Sequence, residues 1–179
     1  MRRPYQILIP LLSLFLVRVD LTDLYPITLR VKILKVYDGD TVLAEAGKMK
    51  LRIRLSKIDA PEKEQSFLSG KRGAGLLSKA CLVKNLSRYE YLSIEGFDLY
   101  GRVLGDFGGL SLELIQEGCV ALYPYAKFKD RAEKFLFLQS YLKARERRRG
   151  LWAFGGILHP KAWRKKKISR RFSNRQSHR

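Results

Sequence analysis

Four carboxylates fall within residues 36–62, in a part of the chain where short apolar runs alternate with turns. They are Asp38, Asp40, Asp59 and Glu62. The chain has a formal net charge of +19, so acidic side chains gathered at turns require an explanation. A cluster of carboxylates disfavours its own ionisation unless a cation neutralises it, and oxygen ligands suit a hard divalent metal. The pattern therefore predicts a metal site.

Arg54 adds an anion-binding group to the same stretch. It precedes Asp59 by five residues on one predicted strand, which brings its guanidinium towards the pocket of the carboxylates. A guanidinium offers two parallel N–H donors to a carboxylate or a phosphate. Arg52, two residues earlier and on the same face of the strand, is the alternative. The stretch thus combines candidate ligands for a cation with a candidate donor to an anion.

Five strands and three helices are predicted around this stretch from hydrophobic periodicity, turn residues and helix-ending glycines. The longest predicted helix is amphipathic, with Phe135, Leu138 and Leu142 on its apolar face. Pattern alone indicates an α+β protein. The predicted strands are residues 28–36, 41–44, 50–58, 89–94 and 103–107, and the predicted helices are residues 76–86, 112–117 and 130–149.

Three ordered blocks of the sequence resemble the signatures of the staphylococcal-nuclease-like, or thermonuclease, family. The first is DGDTV at residues 38–42, followed after eleven residues by RLSKIDAPE at residues 54–62. The second is DLYGRVLGDF at residues 98–107, and the third is GCVALYPY ahead of a long helix that ends in GLW. The resemblance spans roughly residues 28–154. It implies a five-stranded Greek-key OB-fold barrel with three packed helices.

The resemblance also implies an activity, that of a calcium-dependent endonuclease that cuts DNA and RNA with little sequence preference. Its products are expected to carry 3′-phosphate ends. One Ca²⁺ ion would be held by Asp40, Asp59 and the backbone carbonyl of Ala60, at the positions that match the family's ligands. For Asp38, a turn in which its side chain bonds the backbone is the favoured interpretation.

The remaining site residues are assigned by the same resemblance. Glu62 matches the proposed general base, and Arg54 and Arg102 match the arginines that clamp the reacting phosphate. Leu99 departs from the family pattern, because a basic residue usually stands before the tyrosine of the second block. The expected nucleotide contacts are Tyr100, Tyr123 and Tyr125.

Two other functions are compatible with parts of the sequence. A non-catalytic OB-fold module could bind nucleic acid without cutting it, but such relatives typically lose the carboxylates or arginines that this chain retains. A membrane-tethered protein could bind lipid headgroups through its basic C-terminal segment. The enzyme is the favoured interpretation because the set Asp40, Arg54, Asp59, Glu62 and Arg102 is complete.

The two ends of the chain differ in composition from its middle. Residues 1–17 begin with Arg2 and Arg3 and continue with an apolar run, as in a secretory signal, yet no A-x-A-like cleavage site follows. We therefore expect residues 1–25 to be an export signal or membrane anchor, and the protein to be secreted, periplasmic or membrane-anchored. Residues 26–156 are expected to form the folded domain, and residues 157–179 a disordered basic tail.

The charge of the chain indicates the kind of partner that it binds. The chain has 36 Lys and Arg against 17 Asp and Glu, and its pI is near 10.2, which favours a polyanionic partner such as nucleic acid.

The two cysteines of the chain, Cys81 and Cys119, exclude a disulfide framework and a cysteine-rich zinc site. They are expected to be buried free thiols, with a single bridge as the alternative in an oxidising compartment. We expect a monomer.

Overall fold

The structure, a computed structural model, describes residues 27–176, and the side chains of residues 27–169. The predicted export segment lies outside the described residues, as does the end of the predicted tail after residue 176. Within the described part of the chain, no helix is long and apolar enough to cross a membrane.

In the described part of the chain, eight strands form two sheets. The larger sheet contains β1 (Ile27–Arg30), β2 (Lys32–Val36), β3 (Thr41–Ala46), β4 (Met49–Leu55), β6 (Tyr91–Phe97) and β7 (Val103–Asp106). The smaller sheet contains β5 (Ile58–Asp59) and β8 (Ala121–Leu122), which pair in antiparallel fashion. The order of the larger sheet is β1-β6-β7-β4-β3-β2, with only the β4–β7 pair parallel.

A bend in the first strand curls the larger sheet. Strands β1 and β2 lie at opposite edges of the strand order, yet only Val31 separates them in the chain. Strand β1 pairs with β6 and β2 pairs with β3, so one bent segment serves both edges. The chain therefore forms a curled, barrel-like sheet of five segments, consistent with the OB fold that the family resemblance implies, and the α+β class is confirmed. The predicted strand 28–36 is one segment, broken at Val31.

The interior of the barrel follows the period-2 pattern of its strands. In β3, Val42 and Ala44 are fully buried, and Leu43 between them is not. Ile53 and Leu55 continue the inward face on β4, and Leu92 adds to it from β6. Alternate residues of a strand point to opposite faces, so the other face remains free to carry the polar side chains of the barrel surface.

Four α-helices within residues 27–176 surround the barrel. They are α1 (Ala74–Leu86), α2 (Leu110–Gln116), α3 (Arg131–Glu146) and α4 (Pro160–Gln176), with a short 3-10 helix at Gly150–Phe154. Asp130 caps α3 by accepting a hydrogen bond from the Glu133 backbone N–H at 2.8 Å.

The buried face of α3 differs from the one expected from the sequence. Phe137 and Ala144 point into the protein, whereas the predicted apolar face of Phe135, Leu138 and Leu142 is exposed. Both sets recur at helical spacing, so periodicity alone did not distinguish them. Packing against the core, where the Phe137 ring contacts Phe128, selects the observed face.

Two further expectations from the sequence are wrong. Cys81 of α1 and Cys119 form a disulfide rather than two free thiols, because α1 and the chain after α2 approach until the two Cα atoms are 6.1 Å apart. The segment expected to be a disordered tail forms helix α4 from Pro160 onwards. Its charges do not keep it unfolded, because Arg164 pairs with Asp59 and Glu62, and Lys167 pairs with Glu64.

Candidate active site

Eight of the nine predicted site residues line one cavity of about 540 Å³. It contains the expected metal ligands Asp40, Asp59 and Ala60 together with the expected catalytic residues Arg54, Glu62 and Arg102. Tyr100 and Tyr123 also line it, whereas Tyr125 lines a neighbouring groove of about 560 Å³. The fold therefore brings together residues that are up to 83 positions apart in the sequence (Asp40 to Tyr123).

The turn before β3 fixes the position of Asp40. Asp38 Oδ1 accepts a hydrogen bond from the Asp40 backbone N–H at 3.1 Å, which confirms the predicted turn motif. Asp40 Oδ1 accepts from the Thr41 hydroxyl at 2.9 Å, and Asp40 Oδ2 accepts from the Ala60 N–H at 2.8 Å. Asp40 therefore links the start of β3 to the chain just after β5.

Helix α1 packs closely against this turn at Gly39. A Cβ atom at that position would lie 1.9 Å from Ser78 Oγ and 2.9 Å from the Ala60 Cβ. No larger residue fits there without displacing either the helix or the turn. The absence of a side chain at Gly39 thus allows α1 to support the carboxylate turn from behind.

Burial raises the pKa of Asp38 and of Asp59. The pKa of Asp38 rises from 3.8 to about 6, because the group is partly removed from water and faces the negative charge of Asp40. The pKa of Asp59 is also raised, by burial first, although hydrogen bonds from Arg164 oppose the shift. The cavity therefore disfavours uncompensated negative charge and favours a cation beside these groups.

Arg54 joins both of the expected acidic ligands. Its Nη2 donates to Asp59 Oδ1 at 3.0 Å, and its Nη1 lies 3.4 Å from Asp40 Oδ2. Nη1 also donates to the Ile58 carbonyl at 3.0 Å, and the guanidinium lies over the ring of Tyr123. Arg52, the alternative on the same strand, is exposed beside Tyr37 and does not line the cavity. The position of Arg54 in the cavity therefore favours it over Arg52 as the candidate anion donor.

Arg102 is held at the cavity edge by Asp98. Arg102 Nε and Nη2 both lie 2.7 Å from Asp98 Oδ2, and the backbone N–H groups of Tyr100 and Arg102 donate to Asp98 Oδ1. Burial by itself would raise the pKa of Asp98, but these hydrogen bonds outweigh it and the pKa is lowered. Asp98 therefore stays ionised and orients Arg102.

Sequence reasoning missed Arg164 of α4, which also lines the cavity. Its Nη2 donates to both oxygens of Asp59, at 2.9 and 3.2 Å, and its Nη1 donates to Glu62 Oε1 at 2.9 Å. It was missed because residues 157–179 are strongly basic, and a basic run of this kind is typical of a solvated tail. The available signal was Pro160, since proline is favoured at the first position of a helix, and no glycine or proline follows it.

The residues present fit a hard divalent cation. The two buried carboxylates, Asp40 and Asp59, and the backbone of Ala60 adjoin one another, and they offer only oxygen atoms as ligands. This is the chemistry that Ca²⁺ and Mg²⁺ prefer, and a cation would relieve the repulsion between the two acids.

Comparison with known proteins places the chain among nucleases. A family model described as staphylococcal nuclease homologue matches residues 52–154, which include Arg54 through Arg102 but neither Asp40 nor α4. An uncharacterized endonuclease of Haemophilus influenzae is 30% identical over 139 residues, covering 75% of this chain and 72% of that protein. The micrococcal nuclease of Shigella flexneri is 27% identical over 149 residues, covering 76% and 80%, respectively.

Proposed function

Because the chain belongs to the staphylococcal nuclease family, we propose that it is a calcium-dependent endonuclease that hydrolyses phosphodiester bonds of DNA and RNA. Its relatives named endonuclease and micrococcal nuclease support a nuclease function. The observation that carries the finer proposal is one cavity in which two buried carboxylates, two arginines and Glu62 converge. A binding module would have no need of the buried acids.

Substrate binding is assigned to the arginines and tyrosines. Arg54 and Arg102 would donate N–H groups to the phosphoryl oxygens, where charge develops in the transition state. Among the described residues, none accepts a hydrogen bond from Arg54 Nε, so this donor is available to a phosphate. Tyr100 and Tyr123 would stack on bases, and Tyr125 would contact the strand in the adjoining groove. Stacking and phosphate contacts tolerate any sequence, in keeping with low specificity.

Proton transfer is assigned to Glu62. Its carboxylate lies at the cavity, is partly exposed to water, and follows Asp59 by three residues. Glu62 would accept a proton from the water that attacks phosphorus, and the bond from phosphorus to the 5′ oxygen would break. The leaving oxygen would take up a proton from solvent, which gives a 3′-phosphate end and a 5′-hydroxyl end, as in the family. One Ca²⁺ ion, held by Asp40, Asp59 and the Ala60 carbonyl, would polarise the phosphoryl group and strengthen the attacking water.

Export remains part of the proposal. The basic and apolar residues 1–17 favour it, and the Cys81–Cys119 disulfide agrees with it because such bonds persist in oxidising compartments. The protein would be secreted, periplasmic or tethered by its N-terminal segment, and would act as a monomer. Cell fractionation with an antibody to the chain tests this, and a purely cytoplasmic signal would refute it.

The deciding experiment is digestion of single-stranded and duplex DNA, and of RNA, by the full-length chain with Ca²⁺ or with chelator. Glu62→Gln serves as the variant, because it keeps the size of the side chain but cannot accept the proton. We expect calcium-dependent cutting that the variant loses. Tight nucleic-acid binding without cleavage under any divalent ion would instead establish the non-catalytic OB-fold module.

A further inference from the structure

We propose that helix α4 is a latch on the cation pocket, and that a divalent cation must displace Arg164 from Asp59 to bind. The inference rests on the proposed cation site but concerns a segment outside the family match, which ends at residue 154. Three hydrogen bonds from Arg164 to Asp59 and Glu62 hold α4 in this closed position.

The contact occupies the oxygens that a cation would use. Asp59 is 1% exposed, its Oδ1 accepts from both Arg54 and Arg164, and its Oδ2 accepts from Arg164. Arg164 Nη2 holds Oδ2, the Asp59 oxygen to which Arg54 does not donate, and a guanidinium and a divalent ion on that oxygen would repel each other strongly at this distance in a partly buried cavity. Binding of the ion and binding of Arg164 to Asp59 are therefore mutually exclusive.

Three anchors hold α4 in place around the latch. His159 Nε2, just before the helix, donates to the Leu122 carbonyl of β8 at 2.9 Å. Lys161 contacts Tyr125, and Lys167 pairs with Glu64. These contacts lie on both sides of Arg164 along the helix, so they place its guanidinium over the carboxylates. The position is thus a property of the whole helix rather than of one flexible side chain.

The latch predicts a competition that can be measured without catalysis. In the latched state Arg164 contacts Asp59, and in the open state it does not. An ion that binds only the open state binds more weakly by a factor equal to the ratio of the latched to the open population. A charge-assisted, bidentate contact supports a factor on the order of tenfold or more. Removing the guanidinium should therefore tighten calcium binding by about that factor.

The test is calorimetric titration of Ca²⁺ into the full-length chain, its Arg164→Ala variant and a Lys166→Ala control. Lys166 is exposed on the same helix and has no ion pair among the described residues, so the control removes one positive charge without opening the latch. We expect about tenfold or tighter binding in Arg164→Ala and less than about twofold change in Lys166→Ala. Equal effects of the two substitutions would overturn the latch.

A second measurement needs no variant. Hydrogen exchange of the backbone amides in residues 161–169 should accelerate when Ca²⁺ is added to the unaltered chain, because the helix loses the contact of Arg164 with Asp59. Unchanged or slower exchange at saturating Ca²⁺ would overturn the proposal. Calcium that binds and supports cleavage with unaltered α4 exchange refutes the latch alone, whereas no binding of Ca²⁺ to any of the three proteins refutes both the latch and the calcium site.

Discussion

At the scale of single residues, Asp59 is the group on which the cavity depends most. Two arginines from distant parts of the chain donate to it, Arg54 from β4 and Arg164 from α4. It is almost completely buried, and burial still raises its pKa despite these partners. A carboxylate so enclosed requires positive charge beside it whether or not an ion is bound.

Replacing Arg54 with lysine should slow cleavage by roughly 10²-fold or more, by analogy with removal of a transition-state donor. Lysine keeps the positive charge but cannot bond Asp59 and a phosphoryl oxygen at the same time through a planar fork. The measurement is the rate of DNA cleavage at saturating Ca²⁺. Arg52→Lys is the matched control, since Arg52 lies outside the cavity on the same strand. Near-normal turnover in Arg54→Lys would remove Arg54 from the mechanism.

Asp98→Asn should lower stability by about 1–3 kcal/mol at neutral pH, because Arg102 loses its charged acceptor. The pKa of Asp98 is lowered in the folded protein, so its contribution is complete above the ordinary value of 3.8 and is lost as pH falls through the folded value. Urea unfolding of both proteins between pH 3 and pH 7 measures the difference. A difference that grows as the pH falls below 4 would contradict this sign.

The residue types of the site were predictable because turn acids and signature arginines lie in short, recognisable blocks. Asp40, Arg54 and Asp59 fall within 20 positions of one another, so local pattern sufficed. Arg164 follows Asp59 by 105 positions, and nothing local marks one arginine in a basic run as the one that reaches a carboxylate. Only the path of α4 across the barrel selects it.

At the scale of elements, the disulfide joins α1 to the chain after α2, and its effect should be measurable. The bridge closes 38 residues of chain, and the chain-entropy model then gives about 4 kcal/mol of stabilisation. Dithiothreitol should lower the unfolding free energy of the unaltered protein towards that of a Cys81→Ser, Cys119→Ser double variant. The double variant itself should not respond to reductant. Equal stability of the oxidised protein, the reduced protein and the double variant would contradict the prediction.

Helix α3 and the first strand show where element-level prediction succeeds and fails. The strand was recognised because its alternation persists through the bend at Val31. The face of α3 was misassigned because Phe135 and Phe137 belong to two overlapping apolar sets, and the choice between them rests on the neighbouring α2 and core. Long-range packing, which the local sequence does not contain, made that choice.

At the scale of the whole molecule, the charge of +19 should make nucleic-acid binding strongly dependent on salt. Each phosphate neutralised by a lysine or arginine releases a counterion, so a surface with about 6–10 such contacts loses on the order of 10³-fold or more in affinity between 50 and 200 mM salt. The Glu62→Gln variant allows binding to be measured by fluorescence anisotropy without cleavage. Affinity that barely changes with salt would show that stacking, rather than phosphate contact, dominates.

The hydrogen bond from His159 to the Leu122 carbonyl has a consequence for when the enzyme can act. It fixes the start of α4, five residues before Arg164. The guanidinium therefore competes with the cation for Asp59 as an intramolecular ligand with a high effective concentration. Under the proposed calcium dependence and export, a chain synthesised where free calcium is scarce would stay inactive beside the nucleic acids of its own cell. Outside, where calcium-binding modules work at about 10⁻⁴–10⁻³ M, the ion would prevail and the enzyme would become active.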